Sequence, residues 1–185
     1  MRICLRKLSW PILLSGAFAI SGCGLISGNF DAELRAEFTV DGTGHLFEKE
    51  LTVNPADYPD VEDNCGAIEK ETGQIRTMTV EVLTVNQNNK ASYGHGEVYM
   101  RHATETPWPA DDPANAFASF QDTPLLTGQV ITLDMTRARR KALAELVFTE
   151  NCDRALQIRM VGASDAGPVS FSGRVTFFVD FVAGG

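Results

Sequence analysis

After residue 30 apolar and polar residues alternate with a period of two, the pattern of strands buried on one face. Leu34, Ala36, Phe38 and Val40 point one way while Glu33, Arg35, Glu37 and Thr39 point the other. Asp41-Gly42-Thr43-Gly44 breaks the run and Leu46 to Val53 resumes it, so the first two strands are expected to form a hairpin. Met78, Val80 and Val82 mark a third strand within Ile75 to Val85, Asn86 to Asn89 turns the chain, and Tyr93 to His102 returns as a second hairpin. Gln129 to Met135 reads as a strand with Ile131 and Leu133 inward, and Ala155 to Gly162 alternates Leu156, Ile158 and Met160. A turn at Ser164 to Pro168 leads to the strongest strand, Val169 to Val182, with Phe171, Val175, Phe177 and Val179 on one face.

Two stretches depart from this period. Thr136 to Thr149 gathers Ala142, Leu143, Leu146 and Val147 on one side of a helix, a stripe suited to lie on a sheet. Ala103 to Thr127 contains Pro107, Pro109, Pro113 and Pro124 and reads as a long connection, within which Asp112 caps and Pro113 starts a short helix running to Phe120. Seven strands, short turns and one helix predict a mainly β fold: a two-sheet antiparallel β-sandwich, immunoglobulin-like or jelly-roll-like, with one amphipathic crossover helix. Gly173 marks a bend, a switch of sheet or a close approach in the last strand.

The first 22 residues follow a different rule. Arg2, Arg6 and Lys7 precede an apolar run from Leu8 to Ile20, then Ser21 and Gly22, as in an export signal. That run is too short to span, since crossing the hydrocarbon takes about 20 apolar residues. Ile20-Ser21-Gly22-Cys23 resembles the lipobox of bacterial lipoproteins. The resemblance implies a signal peptide over 1–22, a lipid anchor with diacylglyceryl and an N-terminal acyl chain (palmitate) on Cys23, and cleavage that makes Cys23 the first mature residue. Two or more chains on one residue make membrane release negligible, because each buried methylene contributes about 0.8 kcal/mol. Residues 23–30 then serve as lipidated cysteine and linker, and 31–185 as the sandwich domain. The implied location is the cell envelope, and Gly24 in place of Asp after the cysteine implies the outer membrane in a Gram-negative host.

Export changes how the remaining cysteines are read. With Cys4 in the signal and Cys23 on lipid, Cys65 and Cys152 are left as an even pair in an oxidising compartment, which favours a disulfide bond. Closing so long a loop contributes roughly 4 to 5 kcal/mol in the chain-entropy picture. Charge narrows the partners. Loss of Arg2, Arg6 and Lys7 from the 16 basic residues leaves 13 against 24 acidic, a net −11 for the mature chain. No basic footprint for phosphate remains, so nucleic acid is not an expected partner. The basic run Arg137 to Lys141 reads as a solvated helix face.

Candidate chemistry is sparse. Ser164 lacks the glycine two residues on that a nucleophile elbow requires and reads as a turn residue. His95 and His102, seven apart in one strand, fall on opposite faces, and His45 stands alone, so no shared metal is expected. Asp57, Asp60, Glu62 and Asp63 offer oxygen ligands in a spacing that matches no calcium loop. Trp108, between Pro107 and Pro109, is the candidate ligand-binding residue, read either as an aromatic anchor for sugar or peptide or as loop packing. No catalytic residue, metal or cofactor is expected. The reading is an envelope lipoprotein, a binding or structural module partnered by the membrane and by an envelope protein or glycan. A tethered hydrolase of glycan or peptide and a calcium-dependent adhesive module are the alternatives.

Overall fold

The computed structural model describes residues 28–62, 74–105, 108, 112–147 and 154–183. Their elements are β1 (Gly28–Gly42), β2 (Leu46–Val53), a 3-10 turn at Pro55–Asp57, α1 (Pro59–Glu62), β3 (Gln74–Val85), β4 (Tyr93–His102), a 3-10 turn at Pro113–Asn115, β5 (Ala118–Pro124), β6 (Val130–Thr132), α2 (Arg137–Val147), β7 (Leu156–Ser164) and β8 (Val169–Ala183). Two four-stranded sheets run β1-β8-β3-β6 and β2-β7-β4-β5, every pairing antiparallel. The sandwich is as the sequence predicts, and among the described residues α2 is its one long helix.

The neighbours are not. β1 and β2 lie in opposite sheets, as do β3 and β4, and β7 and β8, so the expected hairpins do not form. Alternation states which face of a strand is buried and is silent about which strand lies beside it. The pairs β1–β8, β2–β7, β3–β6 and β4–β5 instead trace one long antiparallel ribbon, folded back between β4 and β5 and then rolled up, which is the jelly roll.

Two further expectations are corrected. Asp112 does cap a turn, its Oδ1 accepting from Ala114 N at 2.9 Å, but the turn ends at Asn115 and an eighth strand, β5, takes the place of the helix to Phe120. Its inward Ala118 and Phe120 are apolar, and burying that face against the opposite sheet outweighs the local helical signal. β8 also stays in one sheet throughout; Gly173 allows a close approach. A Cβ there would stand 2.6 Å from the Phe38 ring.

Phe38 and Gly173 are direct cross-strand partners, and the same pairing recurs with Phe47 opposite Gly162 and Phe120 opposite Gly96. In each case the ring lies over the glycine, where a Cβ would fall 2.4 to 3.0 Å from ring atoms. The rings cover backbone that a glycine would otherwise leave unpacked. Phe171 joins them edge-on, 5.9 Å from Phe38 and 6.2 Å from Phe47. α2 buries Leu143, Ala144 and Val147 and packs on β3.

The roll has two unlike ends. One carries the short connections 43–45, 86–92, 125–129 and 165–168, which bind one another. Asp165 Oδ1 accepts from Ser92 N at 2.8 Å and Tyr93 N at 3.0 Å, and Pro168 O accepts from Lys90 N at 2.8 Å. Leu125 N donates to Ser92 O at 2.9 Å, and Val169 N to Gly44 O at 3.2 Å. The other end holds the long connections β2–β3, β4–β5 and β6–β7, with both helices, and the start of β1.

The two seams between the sheets differ as well. At β5 and β6 a bridge closes the gap, Ser119 N donating to Asp134 O at 3.1 Å and Asp134 N to Ser119 O at 2.8 Å. Between the edge strands β1 and β2 a groove of about 470 Å³ remains, bordered by Glu37, Thr39, Lys49 and Glu50. Lys49 occupies an inward position, between Phe47 and Leu51, and the Tyr58 hydroxyl accepts from Arg35 N while donating to Arg35 O. An inward charge and a capped backbone both discourage edge-to-edge pairing.

Candidate functional site

The outer face of the β2-β7-β4-β5 sheet gathers the polar and aromatic side chains that stand out from a merely solvated surface. Register places Glu50, Arg159 and Tyr99 in one row across β2, β7 and β4, with Thr52, Gln157 and Arg101 beside it. Arg101 donates through Nε and an Nη to Gln157 Oε1 at 3.0 and 2.7 Å, and Arg159 Nε to Glu48 Oε1 at 2.5 Å. Tyr99 is buried although it points outward, and its hydroxyl donates to Glu97 Oε2 at 2.5 Å.

Trp108, from the long β4–β5 connection, lies on this face. Its indole N–H donates to Glu50 Oε1 at 2.7 Å. Its ring stacks on the Arg101 guanidinium, 4.1 Å away, with that of Arg159 at 6.0 Å. The residue is half-buried, its polar edge and a ring face engaged within the chain. Such cation–π contacts contribute about 0.5 to 2 kcal/mol, more where water is excluded. Trp108 therefore straps the connection across three strands.

At the β5 edge lies a hollow of about 380 Å³. Glu97, Phe117, Gln121, Asp134 and Arg139 line it, with the half-buried Phe117 as its apolar wall. β4 supplies Glu97, opposite Ser119 of β5. Asp134 is fixed by the bridge to Ser119, and Arg139 by the start of α2, where Thr136 Oγ1 accepts from Arg139 N at 3.3 Å. The Arg139 guanidinium stands 5.9 Å from the Phe117 ring.

The other candidates disperse. His95 is exposed and His102 buried on opposite faces of β4, as their spacing predicts, and His45 sits in the short-turn end. Among the described residues no three His, Cys, Asp or Glu side chains converge as metal ligands. Asn54 caps the turn that holds Asp57, its Nδ2 donating to Asp57 Oδ1 at 3.3 Å. Ser164 is the last residue of β7 and not the turn residue expected, and its hydroxyl donates to the His45 and Ala166 carbonyls at 3.0 and 2.7 Å beside the 165–168 turn. Asp165 carries a carboxyl pushed below its usual range, chiefly by the N–H groups of Tyr93 and Ser92. Lys141 of the basic run pairs with Glu145 one turn on, at 3.8 Å. Cys23, Cys65, Asp63 and Cys152 lie outside the described residues.

The rim of the hollow escaped the sequence reading because its members come from β4, β5 and the approach to α2, with no local spacing to join them. The alternation of Ala118 and Phe120 inward with Ser119 and Gln121 outward was the available signal, and the prolines on either side masked it.

No family model matches the chain, and no curated protein matches it. Solved structures do align with it. One of Mud crab tombus-like virus shares 14% identity, covers 99% of this chain and 92% of its own, and has a TM-score of 0.45. Desmodium yellow mottle tymovirus gives 7% identity, 99% and 96% coverage and 0.40. Turnip Yellow Mosaic Virus gives 10%, 84% and 94%, and 0.34. At these identities and scores the likeness says nothing of what the chain binds or does.

Proposed function

We propose that the chain is an envelope lipoprotein, exported by its first 22 residues and held to the membrane through acyl chains on Cys23, whose jelly roll is a non-catalytic binding or structural module. The observation that carries this reading is Ile20-Ser21-Gly22-Cys23 directly after a basic start and a short apolar run, with β1 beginning soon after, at Gly28. Four residues reach at most about 13 to 14 Å, so the long-connection end faces the bilayer and the short-turn end points away. Cys65 and Cys152 fall in sequence between β2 and β3 and between β6 and β7, and a disulfide between them would tie those two connections together.

The test is fractionation with intact mass. The native product is expected in the membrane fraction as a chain starting at Cys23 and carrying acyl groups, and Cys23→Ser is expected to release it. An unmodified mass, or unchanged membrane association of the variant, overturns the anchor. Turnover of a glycan or peptide by the purified protein would favour a tethered hydrolase, and a Tm lowered by chelator a calcium-dependent adhesive module.

A further inference from the structure

We propose that the hollow at the β5 edge binds neutral carbohydrate. The proposal rests on the binding-module reading and names the ligand class for it. At about 380 Å³ the hollow is within the range of small-molecule sites, roughly 300 to 1,000 Å³. The half-buried Phe117 gives it an apolar wall, and Glu97, Gln121, Asp134 and Arg139 bring groups that accept and groups that donate. Among the described residues no hydrogen bond joins the Gln121 amide, the Asp134 carboxylate or the Arg139 guanidinium to another protein group. These side chains line one concavity and keep their hydrogen-bonding capacity open to solvent or to a ligand.

A sugar ring matches that arrangement. Its C–H face can lie against Phe117 while each hydroxyl donates to a carboxylate and accepts from a guanidinium or amide N–H. Arg139 is held near Phe117 and the Asp134 backbone by its bridge to Ser119, so their main chains need no reordering on binding. Two carboxylates, Glu97 and Asp134, against one guanidinium leave the rim net negative. A uronate or phosphorylated sugar is therefore repelled and a neutral one is not.

The experiment titrates the full chain, isotope-labelled and held in detergent micelles, with triacetylchitotriose, maltotriose and a trimer of glucuronic acid, following backbone amide shifts. A neutral trisaccharide is expected to shift Glu97, Phe117 to Gln121 and Asp134 to Arg139, with the acidic trimer weaker. Gln121→Ala and Asp134→Ala are each expected to weaken the neutral sugar about tenfold, as loss of a hydrogen bond to a hydroxyl would. Gln121 is exposed, so its variant keeps the fold even if the other does not. Silence from both neutral sugars, shifts centred elsewhere, or variants that bind as the parent does overturn the proposal. Lost sugar binding with the acylated protein still in the membrane removes only the ligand class, whereas sugar binding by an unacylated, unattached protein removes only the anchor.

Discussion

The short-turn end and the long-connection end of the roll are built by different physics. At the first, four brief loops contribute few apolar side chains to the core and hold together through backbone amides, the Asp165 carboxylate and glycines in close contact. At the second, α2 lays Leu143, Ala144 and Val147 on β3, and Trp108 straps a long connection to the sheet through its ring and N–H. Loops too short to bury side chains must satisfy their own polar groups. Longer ones can bring a hydrophobic stripe, and they leave concavities beside it.

Substitutions can break that contrast, beginning with the packed end. Leu143→Ala empties a fully buried position and is expected to cost about 3 kcal/mol, seen as a lower midpoint in chemical denaturation. Gly167→Ala attacks the turn end, where an added Cβ would meet Gly44 C at 2.5 Å and His45 N at 2.7 Å, backbone that cannot rotate away. About 2 kcal/mol is expected, with faster amide exchange at Ser92 and Tyr93, and an unchanged Tm would mean that the turns are not interlocked.

Asp165→Ala is expected to lower Tm by less than Gly167→Ala, and it sharpens the contrast through pH. Because the folded carboxyl titrates below its ordinary range, its stabilisation is present above the unfolded pKa and is lost as pH falls through the folded one. The parent should lose stability on acidification below the usual carboxylate range, and the variant should lose that part of the slope. Trp108→Ala removes the strap and should cost about 1 kcal/mol, with faster proteolysis in the 103–117 connection and little change at the turns.

Inward faces were legible in the sequence because burial writes a period of two directly into residue order: Leu34, Phe38, Val82, Ile158 and Phe177 are all inside. The stripe of α2 was legible for the same reason at its own period. Strand partners were not, because the mate of β1 is β8, at the far end of the chain, and nothing near Phe38 announces Gly173. The site divides along the same line. Trp108 drew notice as a lone aromatic between prolines, whereas its bonds to Glu50 and Arg101 come from register, and so does the opposition of Glu97 to Ser119.

The rolled ribbon also dictates a schedule. Gly28 stands opposite Ala183, so β1 has no mate until β8 has been made, while β4 and β5 can meet early across their connection. Assembly that starts at that bend and zips toward the termini waits on distant segments, which slows folding. A polypeptide whose two ends must meet last keeps the apolar faces of its outer strands open to solvent for longer.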